Sequence, residues 1–80
     1  MATLRLFAAA REAAGTGRDH VPGATIGDVL DEAVRRYGAP FAAVLPSCRL
    51  WRNGDEADRA TAVGDDDEVA VLPPVSGGSS

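Results

Sequence analysis

Apolar and polar positions alternate with a period of two near both ends of the chain and recur with a helical period between them. Thr3-Leu4-Arg5-Leu6-Phe7 places Leu4 and Leu6 on one face and Thr3, Arg5 and Phe7 on the other, the pattern of a half-buried strand. Ala8 to Ala14 is alanine-rich and stops at Gly15, which predicts a short helical turn. Arg18 to Val21, closed by Pro22-Gly23, predicts a second strand paired with the first through a long connection.

The strongest helical signal follows. Thr25 suits an N-cap, and Asp28 three residues later completes a capping-box pattern at the positive end of the dipole. Ile26, Val29, Leu30, Ala33, Val34 and Tyr37 recur at helical spacing and form one apolar stripe, read as core. Gly38 supplies the stop, and Pro40 is expected to prevent the helix from resuming. Phe41 to Leu45, ended by Pro46, predicts a helical turn plugging the core.

Cys48-Arg49-Leu50-Trp51-Arg52 alternates again and runs into Asn53-Gly54, a tight-turn signal; Cys48 and Leu50 would face in, Arg49 and Trp51 out. Residues 55–64 are polar and weakly patterned. Gly64 to Asp67 marks a turn before the last strand, Glu68 to Leu72, with Val69 and Val71 on one face and Ala70 and Leu72 on the other. Strand, strand, helix, strand, strand predicts an α+β fold of two layers, a mixed sheet with one face packed on one main helix. The other face is left open. Phe7, Trp51 and Leu72 all fall on it, where aromatic and large apolar groups suit a partner.

Composition narrows the class. Eighty residues make one domain with a thin core. The chain is 45% apolar and 25% charged, as a globular domain should be. A net charge of -4 argues against nucleic acid as the main partner. No apolar run is long enough to span a membrane, and no secretory leader pattern opens the chain, so the expected location is cytoplasmic. The eight basic residues are all arginine.

Little chemistry is visible before the C-terminus. One cysteine excludes an internal disulfide, and Cys48 at an alternating strand position reads as a small core residue. His20 has no second ligand at metal spacing, and Asp65-Asp66-Asp67-Glu68 lacks the spaced oxygens of a calcium loop, so no metal is expected. No nucleophile–base set or phosphate-cradling glycine loop is present. The chain is not expected to be an enzyme by itself.

The ending is different. Val71-Leu72 is stopped by Pro73-Pro74, then Val75-Ser76, then Gly77-Gly78, with Ser79 and Ser80 after them. The prolines hold the chain extended, and the glycines admit it to a space too narrow for a Cβ. These residues fit a tail inserted into another protein's active site, and they equally fit a frayed Gly/Ser terminus.

The residues upstream bear on that choice. Leu6-Phe7-Ala8 with Arg11-Glu12 and Gly15, Thr25 with the helix through Tyr37, Asn53-Gly54, and Gly64 to Val69 followed by Leu72-Pro73-Pro74-Val75-Ser76-Gly77-Gly78 resemble the ubiquitin-like β-grasp sulfur carriers. These are the MoaD/ThiS family, and the Pro-Pro-x-x-Gly-Gly ending is closest to its molybdopterin synthase small subunits. The resemblance implies a β-grasp domain over 1–75 and a C-terminal tail over 76–80. It also implies that Gly78, presented by Gly77, carries the chemistry: an adenylating partner of ubiquitin-activating type would use ATP and magnesium to make an acyl adenylate. A sulfur donor would then leave a thiocarboxylate. The large subunit of molybdopterin synthase, or another sulfur-accepting synthase, would take the sulfur. Phe7, Trp51, Leu72, Pro73, Pro74 and Val75 would be partner-binding, and the chain itself would hold no cofactor.

One departure matters. With Ser79 and Ser80 attached, the Gly78 carbonyl is an amide and offers no carboxylate to adenylate. A protease that trims Ser79-Ser80 is therefore expected as a further partner. The readings that remain open are a carrier for thiamine, cysteine or a secondary metabolite, a ubiquitin-like modifier that joins Gly78 to a lysine, and an interaction module with an inert tail.

Overall fold

The computed structural model describes residues 1–74 and builds them into β1 (Ala2–Leu6), α1 (Ala8–Ala14), β2 (Arg18–Val21), α2 (Ile26–Tyr37), α3 (Ala39–Val44), a 3₁₀ turn (Leu45–Ser47), β3 (Arg49–Arg52), β4 (Asp55–Ala57) and β5 (Glu68–Leu72). The tail assigned to 76–80, and with it Val75, Gly77 and Gly78, lies outside the described residues. Among the described residues the five strands form one sheet in the order β2-β1-β5-β3-β4. β1 and β5 pair in parallel, and every other pair is antiparallel. The mixed sheet expected from the sequence is therefore present, with one more strand than the pattern predicts.

Alternation explains which face is covered. Leu4, Leu6, Val69 and Val71 are fully or almost fully buried, and they meet Ile26, Val29, Leu30 and Ala33 of α2. Phe41 of α3 is buried completely and plugs the core as expected, with Tyr37 packed edge-on to it at a centroid distance of 5.2 Å. Leu50 faces the same side but is only half-buried, because the β3–β4 end of the sandwich is thinly roofed.

α2 starts as its sequence predicts. Thr25 Oγ1 accepts the Asp28 N–H at 3.1 Å, while the Asp28 carboxylate reaches back to the Ala24 N–H at 3.3 Å. The free N–H groups of Ile26 and Gly27 are satisfied from elsewhere, by the carbonyls of Thr61 at 2.9 Å and Arg59 at 2.8 Å. The polar 58–63 segment is thus a strap across the start of α2.

Three expectations are corrected. Gly38 ends α2 as expected, but Pro40 does not keep helix from resuming. It sits in the first turn of α3, where its missing N–H has no partner to lose. Cys48 lies one residue outside β3, which starts at Arg49. Residues 55–57, read as part of a polar and weakly patterned stretch, form β4: Asn53 (φ 51) and Gly54 (φ 87) both take positive φ, the geometry of a tight hairpin turn, and fold Asp55–Ala57 back on β3.

Candidate partner-docking face and tail exit

The sheet face turned away from α2 is built from rows set by register. Arg5, Ala70, Trp51 and Glu56 lie across β1, β5, β3 and β4 in one row. One step on, Leu72 stands opposite Arg49. Phe7 follows β1, and its N–H donates to the Val71 carbonyl at 3.3 Å, which sets it beside the end of β5. Phe7, Trp51 and Leu72, placed on this face from alternation alone, therefore hold neighbouring register positions that flank Ala70.

Phe7 is 39% exposed, with the Arg5 guanidinium 5.6 Å from its ring centroid. The residue that aims it is Ala8, which takes φ 48 where an L-residue is strained. The chain therefore leaves β1 sharply and enters α1 with Phe7 as its extended N-cap. Trp51, Leu72 and Pro73 are half-buried and Pro74 is exposed. Pro73 and Pro74 continue directly from β5, beside these apolar positions.

Two ion pairs frame the cluster. Arg5 meets Glu68 at 3.1 Å and Arg49 meets Glu56 at 3.1 Å, all four side chains at least 40% exposed, so each pair contributes little to stability. Trp51 Nε1 is buried and has no hydrogen-bond acceptor among the described residues. An unsatisfied buried donor costs about 1–3 kcal/mol.

The other chemistry-bearing residues lie apart from this face or outside any cluster. Cys48 is half-buried; burial pushes its thiol up, and Sγ donates to the Val44 carbonyl at 3.3 Å. It lines an apolar pocket of about 460 Å³ together with Leu30, Val34, Leu45, Leu50 and Arg59, under the thin end of the sandwich, which the sequence did not announce. His20 is exposed on β2. Asp67 is more than a solvated turn residue: its carboxylate accepts first from the Asn53 side chain and then from the Gly64 N–H, both at 2.8 Å, which hold it below the usual carboxylate range. Among the described residues no group of three or more His, Cys, Asp or Glu is placed to hold a metal ion, and no helix is long and apolar enough to cross a membrane.

A profile described as the ThiS family matches residues 4–78, nearly the whole chain, and its match ends on Gly78. The chain belongs to this family. It is 35% identical to a molybdopterin synthase sulfur carrier subunit of Phaeosphaeria nodorum, over 90% of this chain and 84% of that protein. It is 39% identical to small archaeal modifier protein 1 of Haloferax volcanii, over 92% of this chain and 97% of that protein. The solution structure of small archaeal modifier protein 1 from Methanosarcina acetivorans superposes with a TM-score of 0.84 at 31% identity, covering 96% of this chain and 95% of that one. The fold is thus the ubiquitin-like β-grasp, and the chain is a small ubiquitin-like protein of the sulfur-carrier family. The match leaves Ser79 and Ser80 outside it.

Proposed function

We propose that this chain is a sulfur carrier for molybdopterin synthesis, activated at Gly78 after Ser79-Ser80 is removed. The observation that carries the reading is the ending itself: Pro73-Pro74 follows the central strand β5 beside an open sheet face, and the family match stops at Gly78. The likeness to a carrier subunit named for molybdopterin synthase supports the choice of pathway.

The chemistry follows from the terminus. Hydrolysis of the Gly78–Ser79 amide yields a carboxylate, whose delocalised charge makes it a poor electrophile. In the adenylating partner, a carboxylate oxygen attacks the α-phosphorus of ATP and pyrophosphate leaves. A sulfide equivalent from a sulfur donor then attacks the carbonyl carbon, AMP leaves, and a thiocarboxylate remains. Gly77 and Gly78 let the tail pass through a narrow channel, and Phe7, Trp51, Leu72 and Pro73-Pro74, with Val75, hold the domain on the partner's surface. Catalytic groups belong to the partners, and this chain supplies the reacting end. The large synthase subunit then takes the sulfur.

A second reading has its own observation. The likeness to a small archaeal modifier protein fits transfer of the same activated Gly78 to a lysine on another protein.

Intact mass of the protein from its native cells tests both. A chain ending at Gly78, with a fraction about 16 Da heavier where sulfur replaces oxygen, is the expected result. Gly-Gly remnants on lysines of other proteins would favour the modifier. A chain that keeps Ser79-Ser80 and is ignored by the adenylating enzyme would overturn both.

A further inference from the structure

We infer that Trp51 is the polar anchor of the docking face, its indole N–H donating to a carboxylate that the adenylating partner presents. The inference rests on the docking reading above and adds the chemistry the partner must bring.

The fold leaves this indole N–H unmatched. Trp51 sits on the sheet face opposite the core, across from Ala70. Its Nε1 is buried and finds no acceptor among the described residues. The carboxylate facing it in register, Glu56, is turned instead to Arg49, whose Nη1 it accepts at 3.1 Å. A donor kept without an acceptor on a partner face is matched when an acceptor arrives from outside.

Charge says which acceptor. The chain carries a net charge of -4, yet this face presents Arg5, Arg18 and Arg49 against Glu56 and Glu68. A basic surplus on an acidic protein favours an acidic partner surface. The exposed Arg49–Glu56 pair is readily exchanged, so Arg49 is available to the same incoming carboxylate. Because Nε1 is covered in the isolated chain, the ring must tilt away from the sheet for the bond to form.

The test uses the full 80-residue chain and the purified ubiquitin-activating-type adenylating enzyme of the same organism, without ATP. Binding is measured by calorimetry, and 5-fluorotryptophan at position 51 reports the ring by fluorine NMR. Trp51→Phe keeps an aromatic ring and removes the donor; it is expected to bind about tenfold more weakly while melting no lower than the parent chain. The fluorine signal should shift on binding. Equal affinity for Trp51→Phe or an unmoved fluorine signal would overturn the inference. Ala70→Arg separates this from the docking reading. If it loses binding while Trp51→Phe does not, only the anchor fails; if it too binds like the parent chain, the docking face itself is wrong.

Discussion

Tyr37 donates its hydroxyl to Asp19 Oδ2 at 2.5 Å, and that bond ties the last turn of α2 to the edge strand β2. Arg36, one residue earlier, reaches the same carboxylate at 3.3 Å and the His20 carbonyl at 2.9 Å. The Tyr37 bond is the main reason Asp19 titrates below the usual carboxylate range, and burial together with this partner pushes the tyrosine up. Tyr37→Phe keeps the ring against Phe41 and removes only the donor. We expect a loss of about 1.5 kcal/mol, seen as a lower urea midpoint with unchanged slope.

The same contacts set the response to acid. Glu32 is held down to about 2 by hydrogen bonds from Arg35 and then Arg36. A carboxylate depressed in the folded state stabilises it above the unfolded value and stops doing so as pH falls through the folded value. The unfolded values are near 3.8 for Asp19 and 4.5 for Glu32, so melting temperature should be flat above about pH 5 and fall between there and about pH 2. In Tyr37→Phe the Asp19 part of the loss should begin at the same pH, which the unfolded value sets, but be smaller and end at higher pH, because Asp19 is less depressed. Calorimetric melts across this range, with the Asp19 carboxyl followed by NMR, check both statements.

Ala8 is the strained residue behind the placement of Phe7. At φ 48, glycine relieves a steric conflict that alanine bears, and left-handed backbone costs a non-glycine residue roughly 1–2 kcal/mol. Ala8→Gly should therefore raise stability by up to about 1 kcal/mol, against the usual penalty for glycine near a helix. Ala8→Val, with a branched Cβ in the same conformation, should lower it. Paired thermal melts decide: a destabilised glycine variant would show that the strain is not there.

Packing on one face is what made most of this fold readable. Leu4, Leu6, Val69 and Val71 alternate because α2 covers them, and Phe7, Trp51 and Leu72 fell on the open face for the same reason. Their neighbouring positions beside Ala70 needed strand order, since nothing local places β5 between β1 and β3. β4 left no pattern: Asp55 and Glu56 are exposed, and pairing with β3 holds the strand. The strap over α2 works through the carbonyls of Arg59 and Thr61, which any sequence possesses. Trp51 looked like an apolar anchor, and only the surroundings of Nε1 disclosed a donor without an acceptor.

Asn53 ties the β3–β4 turn to the start of β5, one step beyond the pairing that β3 and β5 already make. Its side chain accepts the Glu68 N–H at 2.8 Å and donates to Asp67 at 2.8 Å, while its own N–H donates to the Glu68 carbonyl at 2.9 Å. Asn53→Gly tolerates the positive φ of the turn but deletes both side-chain bonds. We expect a cost of about 1–2 kcal/mol and faster amide exchange at Glu68, at the start of the strand that leads to the tail. Asn53→Gly with unchanged exchange there would show that the turn, not the side chain, fixes β5.

Gly23 and Gly64 give opposite outcomes for the same substitution. A Cβ on Gly23 would lie 2.7 Å from the Val29 backbone nitrogen and 2.9 Å from the Asp28 Cβ, both part of α2 and unable to yield separately. A Cβ on Gly64 would meet nothing closer than the Asp67 carboxylate at 3.9 Å. Gly23→Ala should therefore push the β2–α2 connection off the first turn of α2 and cost about 1–3 kcal/mol. For a domain this small each kcal/mol is roughly 4–8 °C in melting temperature. Gly64→Ala should stay within about 0.5 kcal/mol of the parent. Equal melting temperatures for the two variants would mean that the 22–24 segment does not press on α2 as closely as its backbone positions require.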